Sequence, residues 1–215
     1  MAKKKRTEIV AGEVIEKPES QLKVMWDTLK KNKAALAGLV VIILLIFLAI
    51  FGDLLAPYDP EYSDMAHTFV KPCAEYWFGT DQLGRDIFSR VLSGTKVSLL
   101  VGLSAVAFSL VIGTILGSVA GYFGGKVDGF IMRCMDIMLS IPSILLAITL
   151  MAALGKGLDK AVIAIGTVSI PEYARIVRSS ILSVKENDYV AAAKVIGNSD
   201  GRIIFRHILP NVVSS

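Results

Sequence analysis

The sequence predicts an all-α, polytopic membrane bundle, and three observations carry that prediction. The chain of 215 residues is 53% hydrophobic with a mean hydropathy of +0.60, too apolar for an ordinary soluble domain. Two long stretches, residues 34–51 and 97–123, carry no charge at all. The charges that remain are sorted along the chain. Residues 1–33 hold nine Lys/Arg against five Asp/Glu, residues 52–96 hold four against seven, and residues 172–207 hold six against four. Basic segments stay on the cytoplasmic side, so 1–33 and 172–207 are expected inside and 52–96 outside. The run Lys3–Arg6 is read as a topology signal, and no nucleic-acid partner is expected.

Residues 1–33 form a cytoplasmic N-terminal segment. The first span, 34–51, has eighteen residues, or about 27 Å of helix at about 1.5 Å per residue, close to a hydrocarbon core of ~30 Å. It starts too far from Met1 for an ordinary signal peptide and reads as a retained anchor. Asp53, Pro57, Asp59 and Pro60 end it. In the external segment 52–96, Gly79-Thr80-Asp81 and Gly84-Arg85-Asp86 have turn chemistry. Residues 86–96 suit a short amphipathic helix at the membrane surface.

Residues 97–215 form the core domain. Its first span, 97–123, has Gly113, Gly117 and Gly121 at intervals of four, a face that lets helix backbones approach closely. Static packing and a moving pathway both fit that face. A tight turn at 124–128 leads to a span at 129–154. There Arg133 and Asp136 share a face as a structural ion pair, and Pro142 kinks the helix by removing a backbone bond. A weaker span covers 158–178, where only residues 161–170 are charge-free in a row; crossing and re-entry are both open, and the basic stretch after it favours crossing.

The polar segment at about 185–211 is the candidate functional region. Asp188 suits an N-cap for a helix through Ala191, Ala192 and Ala193, with Gly197 just past its end. Asn198 or Ser199 caps a second helix that Pro210 stops. In it Ile204 and Ile208 share one face, and Arg202 and Arg206 another. A helical hairpin for gripping a soluble partner and a linker lying flat on the membrane both match this pattern. Catalysis finds no support. Cys73 and Cys134, and His67 and His207, are predicted on different sides, no metal-ligand spacing is present, and no phosphate loop, nucleophile elbow or zinc-protease motif occurs. An enzyme is therefore not expected. A passive pore or secondary carrier built from the same spans is the main alternative function, and an intramembrane enzyme using His207 or Ser179-Ser180 is the weaker one.

The triplet Ala191-Ala192-Ala193, Gly197 four residues later, and His207-Ile208-Leu209-Pro210 together resemble the EAA loop of ABC importer permeases. FGTDQLGRD at 78–86, LLAPYDP at 54–60, YARIVR at 173–178 and KKNKAALAG at 30–38 are similar to the C-type permease of dipeptide, oligopeptide and nickel importers. The resemblance runs from about residue 22 to the end. Ala191 stands where the family pattern has Glu, and His207 where it has Ile. The family has six spans, two of them after the loop, so the chain is expected to be a fragment or a truncated gene product.

The resemblance implies an ABC type I importer permease in a bacterial or archaeal plasma (inner) membrane, multi-pass, with a cytoplasmic N-terminus. It implies a second permease subunit, two cytoplasmic ATPase subunits that carry ATP and Mg, and an external solute-binding protein as partners; the chain itself would hold no cofactor. The ATPases would dock on Ala192, Ala193, Gly197, Ser199, Asp200, Arg202, Ile203, Ile204, Phe205, Arg206 and Pro210. Ile203, Ile204, Phe205 and Ile208 would be apolar anchors in an ATPase groove, Arg202 and Arg206 a charged rim, and Gly197 the turn. The 52–96 segment would lie on the side that meets the binding protein.

Overall fold

The computed structural model describes residues 9–10, 13–14, 26 and 29–213. Two short strands, β1 (Ile9–Val10) and β2 (Glu13–Val14), form an antiparallel ladder with Ile9 opposite Val14. Most of the remaining described residues are helical, apart from the largely non-helical segment 56–86, and the chain divides into two compact units after Thr95.

In the first unit, α1 (Lys33–Leu55) takes in the first charge-free run. Asn32 starts it, its side chain accepting from the amides of Ala34 and Ala35 at 3.0 and 3.3 Å. Only Gly52 of this helix is buried. The segment after it is held by side chains bonded to backbone. The Thr80 hydroxyl donates to the His67 carbonyl and accepts from the Val70 amide. Asp81 accepts from the amides of Leu83 and Arg85 at 2.8 and 3.1 Å and from Arg85 Nε at 2.8 Å. The Arg85 bond is the main reason the Asp81 carboxyl titrates at about 2, below its ordinary value. Buried Asp86 then starts the next helix, accepting from the amide and hydroxyl of Ser89 at 2.8 and 2.6 Å.

That helix, α2 (Ile87–Phe123), is continuous for 37 residues. It replaces the expected separate surface helix at 86–96: nothing between Ile87 and Phe123 breaks the helix, and polar residues such as Arg90 and Lys96 change its environment without ending it. In the second unit, α3 (Gly125–Ser140) and α4 (Ser143–Leu154) meet at a 95° bend. The expected kink inside one span is therefore a break. Ile141 is extended, φ −94° and ψ 129°, as a residue before proline prefers, and the Pro142 carbonyl starts α4 by accepting from Leu145 and Leu146.

Helix α5 (Leu158–Lys185) buries Ala164, Ile170, Ala174, Val177 and Ile181 along one stripe, with Pro171 enclosed in it. α2 lies against this stripe. A Cβ at Gly113 or Gly117 would come within 2.5 or 2.4 Å of Tyr173 or Ala174, so only glycine fits there, and at Gly121 it would sit tightly, 3.0 Å from Arg178. Met135 of α3 closes a second cluster with Ile170 and Ala174. Asp136 pairs with Arg175 of α5 at 2.9 Å, which corrects the expected pairing with Arg133. The i,i+3 spacing put Arg133 in reach, but the packing of α3 on α5 offers a cation from outside the helix.

Among the described residues, α1 and α2 are long and apolar enough to cross a membrane, and the bent α3–α4 pair has the length and composition of a third if the two halves count as one broken span and not a re-entrant loop. α5, read from the sequence as the fourth, is 28 residues long but carries Glu172, Arg175 and Arg178 in its second half. Large apolar side chains on α2, α3 and α4, among them Leu103, Val111, Phe130, Ile144 and Ile148, are exposed, as lipid-facing residues are.

Candidate functional site

The chain leaves α5 at Lys185, whose Nζ donates to the carbonyls of Tyr122 and Gly121 at 3.2 and 3.4 Å. It thereby satisfies acceptors at the C-terminal end of α2. Next comes α6 (Asp188–Val195). Asn187, not Asp188, occupies its cap position, with φ −72° and ψ 144°. Asp188 lies one residue inside, where its charge favours the positive end of the helix.

α6 ends as its sequence requires. Gly197 has φ +83°, its amide bonds the Lys194 carbonyl at 2.9 Å, and the Asn198 amide bonds the Ala193 carbonyl at 3.2 Å. This pair of crossed bonds is a Schellman closure, for which glycine is the favoured residue. Of the alanine triplet, Ala193 faces in, whereas Ala191 and Ala192 face out.

Ser199 takes the next cap position through its backbone, its carbonyl accepting from Ile203 at 3.0 Å. A short α7 (Asp200–Arg202) then widens into a π-helix over Ile203–Ile208 and resumes as α8 (Leu209–Val213). Pro210 was expected to stop the helix. Instead the helix runs through Pro210, which follows directly on the π-helical turn. The wider π register helps, because the Leu209 amide reaches back to Ile204. Asn211 Nδ2 donates to the His207 carbonyl at 2.7 Å, and His207 is half-buried.

The orientation of this segment corrects one expectation. Ile203 and Ile208 are fully buried and Ile204 nearly so. They pack on Val177 and Ile181 of α5, Val190 and Ala193 of α6, and Tyr122 of α2. Burying each isoleucine contributes about 1.5–3 kcal/mol relative to exposure in water, so these side chains are committed to the chain's own core and are not free to anchor a partner. Phe205 points the other way and is 66% exposed, as are Val195 at 89% and Ile196 at 79%. Arg202 and Arg206 are exposed as well. The sequence reading did not single out Val195 and Ile196. Their signal was phase: they fall off the Val190/Ala193 face and flank the Gly197 turn.

A polar tie missed by the sequence reading also ends here. The Tyr122 hydroxyl donates to Asp200 Oδ1 at 2.5 Å, and Lys194 Nζ lies 5.0 Å from the Tyr122 ring centroid. Close by, Arg178 of α5 donates to both carboxylate oxygens of Asp128 in α3, at 2.5 and 2.6 Å. Among the described residues no group of three His, Cys, Asp or Glu stands together as a metal site. The hairpin is thus seated on α5 and the end of α2 through its buried face and presents Val195, Ile196, Phe205, Arg202 and Arg206 as exposed side chains.

Apolar exposed helices and a polar hairpin packed on their ends define an all-α, multi-pass membrane protein. Residues 113–215 match the family described as binding-protein-dependent transport system inner membrane component. Residues 20–72 match the N-terminal TM domain of oligopeptide transport permease C. The chain is 49% identical over 186 residues to a dipeptide transport system permease protein of Alkalihalophilus pseudofirmus, covering 86% of this chain and 61% of that one. It is 41% identical over 201 residues to a di/tripeptide transport system permease protein of Pseudomonas aeruginosa, covering 91% and 66%. To a glutathione transport system permease protein of Pectobacterium atrosepticum it is 42% identical over 191 residues, covering 88% and 64%. The chain belongs to the family of binding-protein-dependent transport system inner membrane components. It spans between 61% and 66% of the length of these three relatives.

Proposed function

We propose that this chain is part of the membrane permease of an ATP-driven ABC importer for peptides or a related small solute, and that it takes up ATPase movement through residues 186–211. The observation that carries the proposal is the hairpin itself. Its core face packs on α5 and on Tyr122 of α2, while Val195, Ile196 and Phe205 are exposed, as are Arg202 and Arg206. Exposed aromatic and apolar side chains together with arginines are the residue types enriched where proteins meet protein partners. The names of the relatives support a peptide-like cargo.

In this reading two cytoplasmic ATPase subunits, which carry the ATP and Mg, dock on the hairpin. A second permease subunit completes the path, and an external solute-binding protein delivers cargo to the 52–96 side. The N-terminus is cytoplasmic. ATP binding biases the ATPase pair, and the hairpin passes that bias to a bundle with two arrangements. No chemistry is assigned to the chain, which is not an enzyme in this account.

The test is co-purification of the full-length protein followed by identification of what it brings. Wild type should retain two ATPase subunits and a second permease. Phe205→Glu, a charge placed in the docking face, and Gly197→Asp, a side chain forced into the left-handed region, should each lose the ATPases and uptake. ATPase retention at wild-type level in both variants would contradict the docking face. Uptake that persists with ATP depleted and the ion gradient intact would favour the passive pore or secondary carrier.

A further inference from the structure

Tyr122 lies one residue from the end of α2 and is buried to 6% exposure. It is the residue through which α2 enters the hairpin's apolar cluster, beside Val177, Ile181, Val190 and Ile203. Its hydroxyl bonds Asp200 of α7, 78 residues further along the chain, at 2.5 Å. Its ring face meets Lys194 of α6 at 5.0 Å, and its carbonyl receives Lys185 from the end of α5 at 3.2 Å. One residue thus touches both helices of the hairpin and the helix that leads into it.

Only Gly124 separates Phe123, the end of α2, from Gly125, the start of α3. Asp128, in the first turn of α3, accepts from Nε and Nη2 of Arg178. The α2–α3 corner, the end of α5 and the hairpin are therefore fastened to one another. Upstream of Tyr122, the glycine seam leaves no slack between α2 and α5. Close-packed elements of this kind transmit displacement instead of absorbing it.

We propose that Tyr122 is a positioning residue for coupling: it latches the 186–211 hairpin to the α2–α3 corner, so that a shift of the hairpin moves that corner and the bent α3–α4 span with it. This inference rests on the importer reading above. A hydrogen bond to a carboxylate is among the stronger neutral-donor bonds. Tyr122→Phe removes it and keeps the ring, the cluster and the contact with Lys194.

Two readouts on the full-length protein test the latch. The first is amide hydrogen exchange over residues 188–200. Tyr122→Phe should speed it about ten-fold, Asp200→Ala should do the same, and the double variant should exceed neither. Unchanged exchange, or effects that add, would overturn the latch. The second is transport per ATP hydrolysed in the reconstituted transporter. Tyr122→Phe should retain the ATPases yet lower this ratio about five-fold or more. Faster exchange with a wild-type ratio would overturn the coupling role. Failure of the wild-type protein to retain any ATPase would remove the importer reading and the coupling role with it, while the exchange arm still decides whether the latch exists.

Discussion

The segment that follows α1 and the hairpin that follows α5 are similar in length and opposite in construction. Residues 56–90 are shaped by polar side chains bonded to nearby backbone: Thr80 to His67 and Val70, Asp81 to Leu83 and Arg85, Asp86 to Ser89. Such bonds fix a local form within the segment itself. Residues 186–213 are shaped by burial. Val190, Ala193, Ile203, Ile204 and Ile208 pack on α5 and on Tyr122, so the form depends on helices far away in sequence. A segment built the first way draws its shape from bonds between residues close together in sequence. One built the second way cannot move without its neighbours, which is what a coupling element requires.

The largest effect that would break this contrast lies in the hairpin core. Ile203→Ala should destabilise the folded protein by about 2–5 kcal/mol, the range for removing a fully buried isoleucine side chain. Phe205→Ala, on the exposed face, should shift stability by less than about 0.5 kcal/mol. Thermal unfolding of both variants in the same detergent checks this, and equal losses would mean that the inward and outward faces have been misassigned.

A smaller effect belongs to the 56–90 segment. Asp86→Ala removes the acceptor at the start of α2 and should cost about 0.5–2 kcal/mol. The loss should appear as faster exchange at the first turn of α2 with the hairpin unchanged. The smallest effect is the response to acid. The Asp81 carboxyl titrates at about 2 in the folded segment, against about 3.9 in an unfolded chain. Its contribution is therefore complete above the unfolded value, declines as pH falls below it, and is gone once pH has passed below about 2. Limited proteolysis between pH 5 and pH 2 should show wild-type cleavage within residues 56–90 rising as Asp81 protonates, and Asp81→Asn should flatten that rise.

The sequence disclosed features set by composition and local chemistry. Charge-free runs marked α1 and most of α2. The spacing of Gly113, Gly117 and Gly121 marked a close-packing face, and Gly197 marked a helix end that the backbone then made in full. Pro142 marked the place of the bend but not its 95° size, because a missing amide says where a helix is interrupted and not how the two halves then pack. Residues 87–96 were hidden because polar residues were taken for a boundary, although a helix can leave the membrane without ending. The pairing of Ile204 with Ile208 was legible as one face. Which way that face turned was not, since Val177 and Ile181 decide it from α5. The π-helix and the Tyr122–Asp200 bond had no local signal, because both arise from tertiary packing, the bond joining residues 78 positions apart.

The central claim is that the hairpin turns one face to its own bundle and the other to an ATPase. Photo-crosslinking from single positions in the assembled, full-length protein tests it most directly, with the reactive residue placed in turn at Ile196, Phe205 and Ile203. The account predicts adducts to an ATPase subunit from positions 196 and 205, and only adducts within the chain from 203. ATPase adducts from 203 equal to those from 205, or none from 196 and 205 while uptake remains intact, would contradict it.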